Sequence, residues 1–108
     1  MKPADAVAAL SALAQQTRLG VYRLLVAAGP AGKAAGEIAE ALGIPASSLS
    51  FHLAHLMRAG LINQERRQRS LIYSANYYAM NKLVDFLTEN CCGGADCSLR
   101  AGDNAAAA

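Results

Sequence analysis

The sequence predicts a mostly α domain with a small β-hairpin, on three observations. Apolar residues recur at helical spacing through four segments of the first sixty positions and one after residue 76. Between residues 61 and 75 the pattern changes to two β-favouring ends around a polar middle. The 54% hydrophobic fraction is inflated by alanine, aromatics make up only 6%, and tryptophan is absent, a balance that suits small helices better than a sandwich of strands. At 108 residues the chain is one domain. It lies near the size at which much surface stays exposed until a partner covers it, so self-association is expected.

Taken in order, "PADAVAALSALA" sets Val7, Leu10 and Leu13 at helical spacing, with Pro3 suited to a first turn. A first helix is expected over roughly residues 4 to 14. "TRLGVYRLLVAAGP" gives a second, with Leu19, Tyr22 and Val26 apolar, Thr17 as its cap and Gly29-Pro30 as its stop. "AGEIAEALGIP" is a short third helix, with Ile38, Ala41 and Leu42 apolar and Gly43 placed to end it in the left-handed conformation. "ASSLSFHLAHLMRAG" restarts about three residues later, and two helices joined so tightly form a helix-turn-helix. Leu61-Ile62 and Leu71-Ile72-Tyr73 then read as two strands around a charged tip at Glu65 to Arg69. "NYYAMNKLVDFLTEN" is the last helix. Its apolar residues Tyr77, Met80, Leu83, Val84, Phe86 and Leu87 sweep roughly 180°, wider than one core contact uses, so two neighbours are expected. The order α-α-α-α-β-β-α is that of a winged helix-turn-helix. It occupies residues 1–92, and the Gly/Ala-rich residues 93–108 are expected to form a flexible tail carrying Cys97.

The net charge of +2 does not announce a nucleic-acid binder, but the charge is unevenly placed. Arg58, Arg66, Arg67 and Arg69 stand against Glu65 alone between residues 58 and 69. That is a basic patch of the kind a phosphate backbone responds to, or else a solvated face. In the fourth helix Leu49, Leu53, Leu56 and Met57 share one side. Ser47, Phe51, His55 and Arg58 point to the other, flanked by Ser48 and His52. The first turns of a recognition helix are the part that enters the major groove. The serines reach phosphates or base edges, or else cap the helix. Phe51, opposite the core, calls for a use such as contact with a thymine methyl group. His52 and His55 at i, i+3 are also a metal pair in principle, without a third ligand beside them.

"EIAEALGIPASSLSFHLAHLMRAGLI" is similar to the helix-turn-helix of the ArsR family of bacterial winged-helix repressors. The match runs through Leu42-Gly43, Ser50 to Leu53 and Ala59-Gly60-Leu61, "TRLGVYRLL" matches the family's second helix, and the resemblance covers residues 5 to 92. It departs at the wing tip, where Gln68-Arg69 replaces the family's Gly-Arg and removes an easy positive-φ position, and at Pro45, where a serine or threonine cap is common. The resemblance implies a homodimer paired through the first and last helices, bound to operator DNA. The expected DNA contacts are Ser47, Ser48, Ser50, Phe51, His52 and His55 on the helix, and Arg66, Arg67 and Arg69 on the wing.

All three cysteines sit in "NCCGGADCS": Cys91, Cys92 and Cys97. No apolar run has the length of a membrane span or signal peptide, so a cytoplasmic protein with no membrane partner is expected, and thiols clustered there serve metal or redox chemistry before structural disulfides. Three thiolates with no imidazole nearby make a soft site suited to three-coordinate trivalent arsenic or antimony. Zinc or cadmium, with Asp96 or water as a fourth ligand for zinc, and a redox-sensing thiol pair remain open. "LTENCC" followed by another cysteine resembles the C-terminal arsenite site of some ArsR members, which implies As(III) or Sb(III) as inducer and no organic cofactor. Two other sensing arrangements of the family lack their ligands, since "GEIAEALG" has no cysteine and the last helix offers Asp85 and Glu89 but no histidine. An arsenate reductase with Cys92 as nucleophile and His52 or His55 as base is the enzymatic alternative. No anion cradle surrounds the cysteines, and the expectation is a non-enzyme.

Overall fold

The computed structural model describes residues 1–94. Its elements are α1 Pro3–Leu13, α2 Gln16–Ala28, β1 Lys33–Ala34, α3 Ala35–Leu42, α4 Ala46–Arg58, β2 Ile62–Arg67, β3 Ser70–Ala75 and α5 Tyr77–Leu87, followed by a 3-10 turn over Cys91–Gly94. The five helices and the β2–β3 hairpin match the expected winged helix-turn-helix; the two-residue β1 is an addition. It pairs antiparallel with β3, Lys33 opposite Tyr73 and Ala34 opposite Ile72, making a three-stranded sheet in the order β1-β3-β2. Gly32 makes that approach feasible: its φ is 72°, and a Cβ there would run into the carbonyl oxygen of Tyr73.

No charged side chain is buried in the core among the described residues. Val21, Leu25, Ile38, Leu49, Leu56 and Leu61 are its most deeply buried large side chains, each contributing about 1.5–3 kcal/mol of transfer free energy. Tyr22 is buried too, and its hydroxyl finds no hydrogen-bond partner among the described residues. Burial, and secondarily Tyr77, raises its pKa. Gly43 ends α3 as expected, with φ 66° and ψ 36°.

Several local expectations are corrected. In α1 the buried residues are Ala6, Ala9 and Ala12, while Val7 and Leu10 are 65% and 42% exposed. Small side chains let α1 approach the rest of the core closely, and its larger apolar residues face away. In α2 the cap is Gln15, whose side chain accepts from the Arg18 amide at 2.8 Å, rather than Thr17. Leu19 is exposed and Val21 and Leu25 are buried instead. Met57 lies at the rim of the α4 core face at 36% exposure. The strands pair as far as Arg67 opposite Ser70, so the hairpin tip shortens to Gln68-Arg69. Gln68 there adopts φ 57° despite its side chain, the conformation a glycine would take without strain. The last helix stops at Leu87 rather than running through to Asn90, and the Thr88 hydroxyl donates back to the Val84 carbonyl at 2.9 Å. No helix among the described residues is long and apolar enough to cross a membrane.

Candidate functional site

Two surfaces carry the candidate residues. The first is built on α4. Leu49, Leu53 and Leu56 anchor one face in the core, which holds the opposite face outward. Ser47, Ser48, Ser50 and Phe51 are exposed there, with Phe51 at 64%, and His52 and His55 are half-buried. Capping does not account for the serines, because Pro45 is the N-cap residue and no side chain closes the helix start. The Phe51 and His52 rings meet edge-on at 5.9 Å. His52 Nδ1 is shut off from solvent without a partner among the described residues. Desolvation, then the guanidinium groups of Arg18 and Arg58 and the ring of His52, hold His55 below its usual pKa. At neutral pH its imidazole is therefore neutral and presents one donor and one acceptor.

Beside α4 stands the hairpin, with Arg66, Arg67 and Arg69 all exposed. Their roles separate. The Arg67 guanidinium donates to the Glu65 carboxylate at 3.1 Å and to the Ala31 carbonyl at 3.0 Å, tying the wing to the loop before β1. The ion pair itself is exposed and contributes about 0–1 kcal/mol; the link to the loop orients the hairpin. Arg66 and Arg69 have no ion-pair partner among the described residues.

The second surface joins α1 and α5. Leu83 is buried and Tyr77, Met80 and Phe86 are partly so, facing the core. The Tyr77 hydroxyl donates to the Val26 carbonyl at 2.9 Å. On the outer side Tyr78, Val84 and Leu87 are 71%, 47% and 57% exposed, matching the exposed Val7 and Leu10 of α1. An anchor that sequence reading missed is Asn76. Its Oδ1 accepts from the Ala79 amide at 3.1 Å, capping α5, and its Nδ2 donates to the Gly60 carbonyl at 3.0 Å, just past the end of α4. An asparagine directly before an apolar helical run was the available signal.

At the far end of α5 the chain leaves the helix through Asn90 at φ 59° and Cys92 at φ 55°. This left-handed step brings together two sulfurs that a regular helix would splay: those of Cys91 and Cys92 are 3.7 Å apart. Cys92 is an exposed free thiol, whereas Cys91 is disulfide-bonded. Cys97 and the proposed tail beyond residue 94 lie outside the described residues. Among the described residues no three His, Cys, Asp or Glu side chains converge as a metal site, at His52 and His55 or elsewhere.

Residues 13–65 match a family described as "Helix-turn-helix domain". The HTH-type transcriptional regulator YgaV of Escherichia coli K12 is 33% identical over 88 residues, 82% of this chain and 87% of that protein. This chain belongs to the ArsR/HlyU family of helix-turn-helix transcriptional regulators. A second member, the transcriptional activator HlyU of Vibrio cholerae, is 30% identical over 84 residues, 78% of this chain and 75% of that protein. The structure of reduced HlyU superposes with a TM-score of 0.65 at 29% identity, covering 82% and 90% of the two chains. The homodimeric winged helix-turn-helix DNA-binding domain Mb0332 of Mycobacterium bovis gives 0.61 at 26% identity, covering 78% and 82%. In this chain the helix-turn-helix is α3–α4 and the wing is β2–β3.

Proposed function

We propose that this ArsR/HlyU-family regulator is a homodimeric repressor that leaves its operator when trivalent arsenic or antimony binds Cys91, Cys92 and Cys97. The observation that carries this reading is the 3.7 Å between the Cys91 and Cys92 sulfurs. Two thiolates bound at about 2.3 Å to one ion stand less than about 4 Å apart, so once Cys91 is reduced a single soft ion can span this pair. Cys97, only five residues beyond Cys92, completes a three-thiolate set for a pyramidal ion. The ion meets the reduced protein, because thiolates are the ligands.

The exposed apolar sides of α1 and α5 pair the two protomers, which sets the two α4 helices one helical turn of DNA apart. Ser47, Ser48, Ser50, Phe51, His52 and His55 face the major groove. Arg66 and Arg69 contact phosphates, and Arg67 holds the wing to the body. Ligand binding just past the C-terminal end of α5 shifts that helix in the interface. The shift reaches α4 through the Asn76 anchor on Gly60. By linkage, operator DNA weakens ligand binding by the same factor, typically about 5–150-fold.

A second reading is oxidation as the signal. It is favoured by the disulfide-bonded state of Cys91 and by the reduced state reported for HlyU. One experiment separates the two: fluorescence anisotropy of the dimer on a duplex it selects from a random library, titrated with arsenite, antimonite, zinc, cadmium or peroxide. Release by arsenite or antimonite, blunted by each Cys→Ser variant with DNA affinity retained, supports the metalloid reading. Indifference to both arsenite and antimonite sinks it. Release by peroxide that a thiol reductant reverses transfers the trigger to oxidation.

A further inference from the structure

We infer that Phe51 is the residue that reads sequence, through the 5-methyl group of a thymine in each half-site; this rests on the proposal above that α4 enters the major groove. Helical spacing surrounds Phe51 with Ser47 and Ser48 on the preceding turn and Ala54 and His55 on the following one. Among these neighbours the phenyl ring is the one large apolar side chain, and it is 64% exposed. Leaving it in water forfeits transfer free energy, which a binding partner recovers by covering it. The edge-on contact with His52 steadies the ring, and His52 is itself half-buried. What a major groove offers such a ring is narrow. Base edges present hydrogen-bond donors and acceptors at every pair, and the thymine C5-methyl is the apolar feature among them. The serines beside Phe51 can take phosphates or any base edge, so they discriminate less.

The test replaces thymine by deoxyuridine, which deletes the methyl and keeps every hydrogen-bonding group. Starting from the duplex selected by the wild-type dimer, each symmetric pair of thymines is replaced in turn, and affinity is compared for wild type and Phe51→Ala. One thymine pair should weaken wild-type binding by about fourfold per half-site, about fifteenfold for both, from the transfer free energy of one methyl-sized group. Phe51→Ala should respond to the same replacement by less than about twofold per duplex. Because Phe51 is exposed, its variant should keep the wild-type circular dichroism spectrum and dimeric mass. Wild-type indifference to every replacement, or an equal loss in Phe51→Ala, overturns the inference while leaving operator binding standing. Failure of the wild-type dimer to select any duplex overturns both.

Discussion

The outer face of α4 and the outer faces of α1 and α5 differ in what they leave exposed. On α4 the residues turned away from the core are serines, two histidines and one projecting phenylalanine. On α1 and α5 they are Val7, Leu10, Tyr78, Val84 and Leu87. A helix with a polar outer face is finished by solvent or by a polar ligand; a helix apolar on two sides is finished only by another apolar surface. The same fold thus presents one surface suited to a nucleic acid and another suited to a second copy, with Asn76 joining the two.

Charging the apolar surface should break the contrast most. Leu87→Asp buries an unpaired carboxylate in the proposed interface, so sedimentation should show monomers and operator affinity should fall by more than about 100-fold. A dimer that persists would place the interface elsewhere. Next in size, Gly32→Ala drives a Cβ into the Tyr73 carbonyl at a positive φ. It should cost about 3 kcal/mol in denaturant unfolding while leaving the α4 face chemically intact. On the polar surface, Arg66→Ala and Arg69→Ala should each lower the salt slope of DNA binding by about two units, one per half-site of the dimer. Arg67→Ala, whose guanidinium is engaged within the protein, should weaken binding with the slope nearly unchanged. Equal slopes for all three variants would cancel that division of labour. The smallest effect is at the tip: Gln68→Gly relieves a left-handed residue and should stabilise the fold by about 0.5–1 kcal/mol in the same unfolding measurement.

Much of this was legible because it is periodic or rests on special residues. The leucines of α4 at 49, 53 and 56 announce its buried face, and the turn residue Gly43 announces the left-handed end of α3. The face of α1 misled, because the larger residues Val7 and Leu10 attract attention while alanines do the packing. Strand β1 escaped because two residues carry no period, and it exists only through pairing with a strand some forty positions later. The thiol pair was legible as composition but not as geometry. Adjacent cysteines on a helix diverge, and only the positive φ of Cys92 turns both sulfurs to one side.

By itself, then, the sequence determined the order of elements, the buried face of α4, the basic wing and the crowding of all thiols behind the last helix, since these follow from local spacing and residue chemistry. Tertiary structure decided which side of α1 is left open, that Arg67 is engaged with Ala31, that Asn76 spans from α5 to Gly60, and that Cys91 and Cys92 meet. Each of these depends on distances between backbone segments brought together only by the packed core, or on backbone angles that residue identity does not dictate.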